Sequence, residues 1–145
     1  MPRAGGRTRA REWMLQLLYG WEVSGSSEDL DGYATRVLAD RVVAERCREH
    51  LRRLIQALDQ RQADVDRAVQ AAMSNWRLDR LAVIDRNILR IGTVELLHFD
   101  RVPGKVAIHE AILLAEKYGS EDSPRFVNGV LDAVYRGREA VNGGA

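Results

Sequence analysis

The sequence is poor in the residues that build disulfide-linked, metal-bound or membrane-spanning proteins. Cys47 is the one cysteine among 145 residues, which excludes an intrachain disulfide and a cysteine-rich zinc site and suits a reducing cytoplasm. No apolar run approaches the roughly 20 residues that span a bilayer. The apolar stretch after the N-terminal arginines is broken by Gln16 and Gly20, unlike a signal peptide. We therefore expect a cytoplasmic protein without membrane association.

An excess of one charge is also missing, and so are catalytic motifs. The 22 basic and 21 acidic residues leave a net charge of +1, so any attraction for nucleic acid must come from a local patch. The chain has no glycine-rich phosphate loop, no G-x-S-x-G elbow and no H-E-x-x-H pair. Its three histidines are not spaced as metal ligands. These observations argue against an enzyme and predict neither a cofactor nor a metal.

What the sequence does have is helical periodicity over almost its whole length. An apolar stripe from Trp13 to Trp21 repeats every 3.6 residues, and two further stripes occupy 47–58 and 65–76. Segment 81–99 is apolar on most sides, as expected of a central helix. No alternating strand pattern is present, so the sequence predicts an all-α, compact single-domain bundle of about six or seven helices.

The chain ends have a different composition from the bundle. We expect a flexible basic arm over residues 1–8, a helical domain over 9–137 and a flexible tail over 138–145. Met1 and the glycine-rich finish favour a complete protein. Near the last helix, Ser123 resembles an N-cap with Pro124 at the first helical position.

The basic arm is the strongest chemical signal in the sequence. Arg3, Arg7, Arg9 and Arg11 precede the first acidic residue, Glu12. A guanidinium donates two hydrogen bonds at once to a phosphate, and a mobile arm can order along a single RNA strand. The alternative interpretation is a tail that only improves solubility.

Two aromatic residues fall away from the apolar stripes. At 100° per residue, Tyr19 projects about 170° from the centre of the first stripe. Phe126 lies at the edge of the last stripe, beside Arg125. Exposed aromatic side chains near arginines are suited to stacking on unpaired bases.

Three strings together resemble the NusB family of bacterial transcription antitermination factors. They are RTRARE with LLYGWE within 7–22, DRNILRIGTVELL with VPGKVAIHEAILLAEKYG within 85–119, and EDSPRFVNGVLD at 121–132. The resemblance covers essentially the whole chain, although 23–75 adds only a helical pattern. It implies a seven-helix protein that pairs with NusE, a protein of the small ribosomal subunit. The pair would bind boxA RNA, notably in ribosomal RNA leaders, and join the elongating RNA polymerase complex.

The resemblance also implies which residues do this. It assigns the RNA contacts to Arg7, Arg9, Arg11, Tyr19, Arg86, Arg125 and Phe126, and the contacts with the partner protein to Asp85 and Asp122. The sequence departs from the family pattern at Thr8, within the basic run, and at the bulky Trp13 and Met14. His109 replaces the more usual asparagine in VAIHEAI.

Other functions compete with this interpretation. A helical protein–protein adaptor would use the arginines for an acidic partner and bind no RNA. A NusB-like domain also occurs in certain ribosomal RNA cytosine methyltransferases, which would make this chain a fragment. A homodimer is a further possibility, with Leu15 and Tyr19 covered by a second copy.

Overall fold

The computed structural model describes residues 5–143, and these residues form helices without any strand. The six α-helices are α1 (Gly6–Ser24), α2 (Leu30–Leu38), α3 (Glu45–Ala71), α4 (Val83–His98), α5 (Gly104–Tyr118) and α6 (Ser123–Gly143), with a 3₁₀ turn at Leu78–Arg80. The all-α prediction is confirmed. Within the described part of the chain, no helix is both long and apolar enough to cross a membrane.

Helix α4 is the centre of the bundle. It packs against α1, α3, α5 and α6, and every residue from Asn87 to Leu96 is buried. Gly92 lets α6 approach closely, because a Cβ atom there would lie 2.6 Å from Leu131 Cδ1. The prediction of a central helix within 81–99 is therefore confirmed.

Helix α1 begins earlier than the sequence suggested. Residues 6–8, expected in a flexible arm, form its first turn because two contacts hold them against the bundle. Gly6 packs directly on the carbonyl of Arg46, and Thr8 Oγ1 donates a hydrogen bond to Glu110 Oε1 at 2.8 Å. Residues 1–4, which include Arg3, lie outside the described residues.

The other expected boundaries shift as well. Helix α6 continues to Gly143, so most of the expected tail is helical, while residues 144–145 lie outside the described range. Helix α3 joins two predicted stripes across a kink at Arg61, where φ is −121° and ψ is 18°. It ends at Ala71, so Trp76 does not continue its apolar stripe and is instead 60% exposed.

Candidate nucleic-acid interface

The first turn of α4 meets the start of α6 through a buried hydroxyl. Ser123 Oγ donates to Asp85 Oδ1 at 2.6 Å and accepts from the backbone N–H of Ser120 at 2.9 Å. Because α6 begins at Ser123 itself, the expectation that this residue is the N-cap is wrong by one position. Its hydroxyl instead ties two helix ends together, and residues of this α4 turn line two grooves.

The first groove, which we call the Phe126 groove, has a volume of about 330 Å³. It lies between the α6 start, the α4 start and the segment that follows α3. Phe126 is half-buried there, with Trp76 edge-on to its ring at 6.4 Å between centroids and an interplanar angle of 75°. Asp85 and Asp122 contribute carboxylates to the same groove, and Arg80 also lines it. The result is a concave surface that combines aromatic rings with hydrogen-bond acceptors.

The second groove, which we call the Tyr19 groove, has a volume of about 190 Å³ and is mostly apolar. Tyr19 is 43% exposed, as its position on the helix predicted, and it lines this groove with Ile84 and Tyr118. Since Ile84 precedes Asp85 in α4, both grooves are lined by the same helical turn. Leu15 is only 2% exposed, so the expectation that it faces outward is wrong.

Three of the predicted arginines are exposed. Arg7 and Arg9 lie on α1, and Arg125 lies beside Phe126 on α6. Arg9 pairs with Glu12 at 2.9 Å, which also accepts hydrogen bonds from Lys117 at 2.5 Å and Tyr118 at 3.1 Å. Burial alone would raise the pKa of Glu12, but these hydrogen bonds, led by the one from Lys117, outweigh it and lower the pKa.

Arg11 is not placed as an RNA contact. Its side chain is 2% exposed, and its Nε lies 2.9 Å from both carboxylate oxygens of Glu95. His50 Nε2 shares Glu95 Oε2 at 2.6 Å, and Glu110 lies 3.6 Å from Arg11 Nη1. A guanidinium held inside the bundle by carboxylates cannot reach a phosphate, so Arg11 positions α1 instead.

Arg86 also differs from expectation, because its donors are already used within the protein. It pairs with Glu22 of α1 and donates from Nη1 to the carbonyls of Leu78 and Leu81 at 3.2 and 2.9 Å. Glu22 also accepts from Arg90 Nη1 at 2.9 Å. Arg86 therefore braces the 3₁₀ turn and does not extend into solvent.

Sequence reasoning missed two residues of the Phe126 groove, Trp76 and Arg80. The sequence does contain one signal for this groove. Trp76 is an aromatic residue at the very end of the 65–76 stripe, and arginines follow it closely. It was assigned to the core because its spacing continues that stripe. His109 is exposed on α5, outside both grooves. Within residues 5–143, no group of three potential metal ligands is present.

Comparison with known proteins identifies relatives over nearly the full chain. The sequence profile of the NusB family matches residues 8–136. Transcription antitermination protein NusB of Anaeromyxobacter dehalogenans (strain 2CP-1) is 46% identical over 132 residues, which cover 90% of this chain and 91% of that protein. The protein of the same name in Chloroherpeton thalassium is 38% identical over 130 residues. That match covers 89% of this chain but only 61% of the longer relative.

Solved structures agree with the sequence comparison. T. maritima NusB superposes with a TM-score of 0.81 at 34% identity, covering 94% of this chain and 93% of that one. A crystal structure of antitermination factors NusB and NusE in complex with double-stranded RNA superposes with a TM-score of 0.79 at 26% identity. It covers 91% of this chain and 97% of the matched chain. With its fold and its sequence in agreement, this chain belongs to the NusB family.

Proposed function

We propose that the chain is an RNA-binding transcription antitermination factor. In this proposal it acts in the cytoplasm with NusE, binds boxA RNA in nascent transcripts such as ribosomal RNA leaders, and joins the elongating RNA polymerase complex. Two kinds of evidence support it: the name of the curated relatives, transcription antitermination protein NusB, and the complex of a structural neighbour with NusE and RNA. A regulatory role agrees with the prediction of a non-enzyme.

The observation that carries the proposal is that Tyr19 and Phe126 line two grooves that share the first turn of α4, through Ile84 and Asp85. Each aromatic ring lines its own groove, so bases of an unpaired segment can stack at two neighbouring points. The exposed Arg7, Arg9 and Arg125 supply charge for the phosphates between and beside them. This arrangement binds RNA through stacking and charge and needs no catalytic group.

Partner recognition is assigned to the acidic side of the Phe126 groove. Asp122 is exposed there, and a carboxylate at the rim of an interface steers association with a basic ribosomal protein. Asp85 is less available, because its carboxylate is held by Ser123. A homodimer through Leu15 and Tyr19 is less favoured than it was from the sequence, because Leu15 is buried and cannot contact a second copy.

Fluorescence anisotropy with a labelled boxA RNA and a scrambled RNA tests the proposal. The protein alone, NusE alone and the mixture would each be titrated at two salt concentrations. We expect the mixture to bind boxA RNA more tightly than either protein does and more tightly than the scrambled RNA. No binding in any mixture would refute the proposal and favour a protein–protein adaptor.

A paired variant isolates the contribution of the exposed arginines. Arg7→Ala with Arg9→Ala should weaken RNA binding and flatten its salt dependence by about 0.7 logarithmic units per lost phosphate contact. Arg52→Ala with Arg67→Ala is the matched control, because it removes the same charge from exposed positions on α3. Equal effects of the two pairs would show that only net charge matters and would contradict a specific role for α1.

A further inference from the structure

We propose that Trp76 is a stacking platform for an unpaired nucleobase, so that the Phe126 groove binds one base of a single-stranded RNA. This inference rests on the proposed function and adds a base-binding residue to it. It begins from an unusual exposure: 60% of Trp76 is in contact with solvent, whereas Trp13 and Trp21 are packed against the core. A large apolar ring beside an open groove provides a surface that a base can cover.

The backbone that carries Trp76 is fixed, although its ring is exposed. The side-chain amide of Gln70 donates to the Trp76 carbonyl at 2.7 Å and accepts from the Leu78 N–H at 2.8 Å. Met73 and Leu78 anchor the segment in the core on either side of Trp76. Arg86 then holds the carbonyl of Leu78 from α4. The ring is therefore presented by a rigid segment, which reduces the conformational entropy lost on binding.

The two aromatic rings define where a base fits. Trp76 and Phe126 are nearly perpendicular neighbours and both line the groove, while the 60% exposure of Trp76 leaves much of its surface open. A planar base that stacks on one ring can contact the other through its edge, an arrangement that aromatic groups favour. Base–aromatic stacking tolerates any base because every base has a π-face.

The polar groups in the groove favour a base over a phosphate. Asp85 is a carboxylate, which repels phosphate but accepts hydrogen bonds from base N–H groups. A carboxylate accepts several hydrogen bonds, so Asp85 can take one from a base while it keeps the one from Ser123. Arg80 also lines the groove and is exposed, so its guanidinium can pair with the phosphate of the bound nucleotide.

The test compares Trp76→Ala and Trp76→Phe in the RNA-binding assay with NusE present. We expect Trp76→Ala to weaken boxA RNA binding about tenfold, within the range measured for base–aromatic stacking. Trp76→Phe should retain affinity within about threefold because a ring remains. The salt dependence should be unchanged in both variants, since no phosphate contact is lost. Val42→Ala, which trims the highly exposed Val42 on a different surface, should have no effect.

Two further readouts separate stacking from other roles. Saturating RNA should quench tryptophan fluorescence in the unmodified protein and much less in Trp76→Phe, which still binds. The affinity for NusE without RNA should be the same for all variants. If Trp76→Ala binds RNA with wild-type affinity, the role of Trp76 is refuted while the proposed function stands. The role of Trp76 is also refuted if the variant binds RNA more weakly only because it has lost affinity for NusE. Failure of the unmodified protein to bind RNA with NusE would overturn both proposals.

Discussion

The ion pair between Arg11 and Glu95 leads to a quantitative prediction of stability. The two side chains are 2% and 0% exposed, and Arg11 Nε is 2.9 Å from each carboxylate oxygen. Glu95→Gln removes the negative charge and leaves a guanidinium inside the bundle, with Glu110 at 3.6 Å as the nearest remaining carboxylate. Removing one partner of a buried ion pair costs about 3–5 kcal/mol. Because Glu110 remains and glutamine still offers an oxygen, we expect the free energy of unfolding to fall by about 3 kcal/mol.

Urea unfolding followed by circular dichroism at neutral pH measures this loss directly. In a domain of this size, the same change should lower Tm by about 10 °C. Glu49→Gln is the matched control, because it makes the same chemical change in an exposed pair with Arg52 and should alter stability by less than about 0.5 kcal/mol. A loss below about 1 kcal/mol for Glu95→Gln would refute the reasoning.

A second substitution distinguishes an unpaired charge from lost packing. In the double variant with Arg11→Met and Glu95→Gln, neither charge is left buried without its partner, while an apolar chain still fills part of the space. Apolar replacement of a buried ion pair is often neutral or stabilising. We therefore expect the double variant to be more stable than Glu95→Gln alone, and a further additive loss would contradict this explanation.

Two other stability predictions follow from contacts of α4. Burial would raise the pKa of Glu22, but hydrogen bonds from its two arginine partners outweigh it and lower the pKa below the ordinary value of 4.5. Its contribution to stability is thus present above pH 4.5 and lost as the pH falls through the lowered pKa. In urea titrations at about pH 5 and pH 3, Glu22→Gln should lose less stability on acidification than the unmodified protein does, and an equal loss would contradict this. Gly92→Ala should cost about 1–3 kcal/mol because of its contact with Leu131. Gly129→Ala, in open space on α6, should gain about 0.5–1 kcal/mol, and a loss of stability for both would refute the packing argument.

The fold was predictable where the residue pattern within one helix shows which of its faces are buried. Segment 81–99 carries apolar residues on most sides, and only a helix surrounded by others can bury them all, so its central place followed from the sequence. The exposure of Tyr19 followed from helix geometry in the same way. Both inferences use positions within a single helix and require no knowledge of distant partners.

The errors concern residues whose environment depends on partners far along the chain. Arg11 was predicted as part of an RNA-binding arm, but it finds Glu95 84 residues later. Residues 6–8 were expected in a flexible arm because they lie near the chain end, but Gly6 packs closely on α3. Trp76 falls on the spacing of the α3 apolar stripe, which predicted a buried side chain. Helix α3 ends at Ala71, so this spacing no longer applies at Trp76. Local periodicity does not reveal such long-range pairs or helix ends.

The early start of α1 determines how its exposed arginines can act together. Arg7 and Arg9 are two residues apart in a regular helix, so their side chains leave it about 200° apart and cannot converge on one phosphate. Thr8, which lies between them on the helix, is held against α5 by its hydrogen bond to Glu110. The two arginines therefore leave α1 on either side of that contact. The helical order of this segment is established when the protein folds, so the conformational entropy of these residues is lost before any RNA arrives.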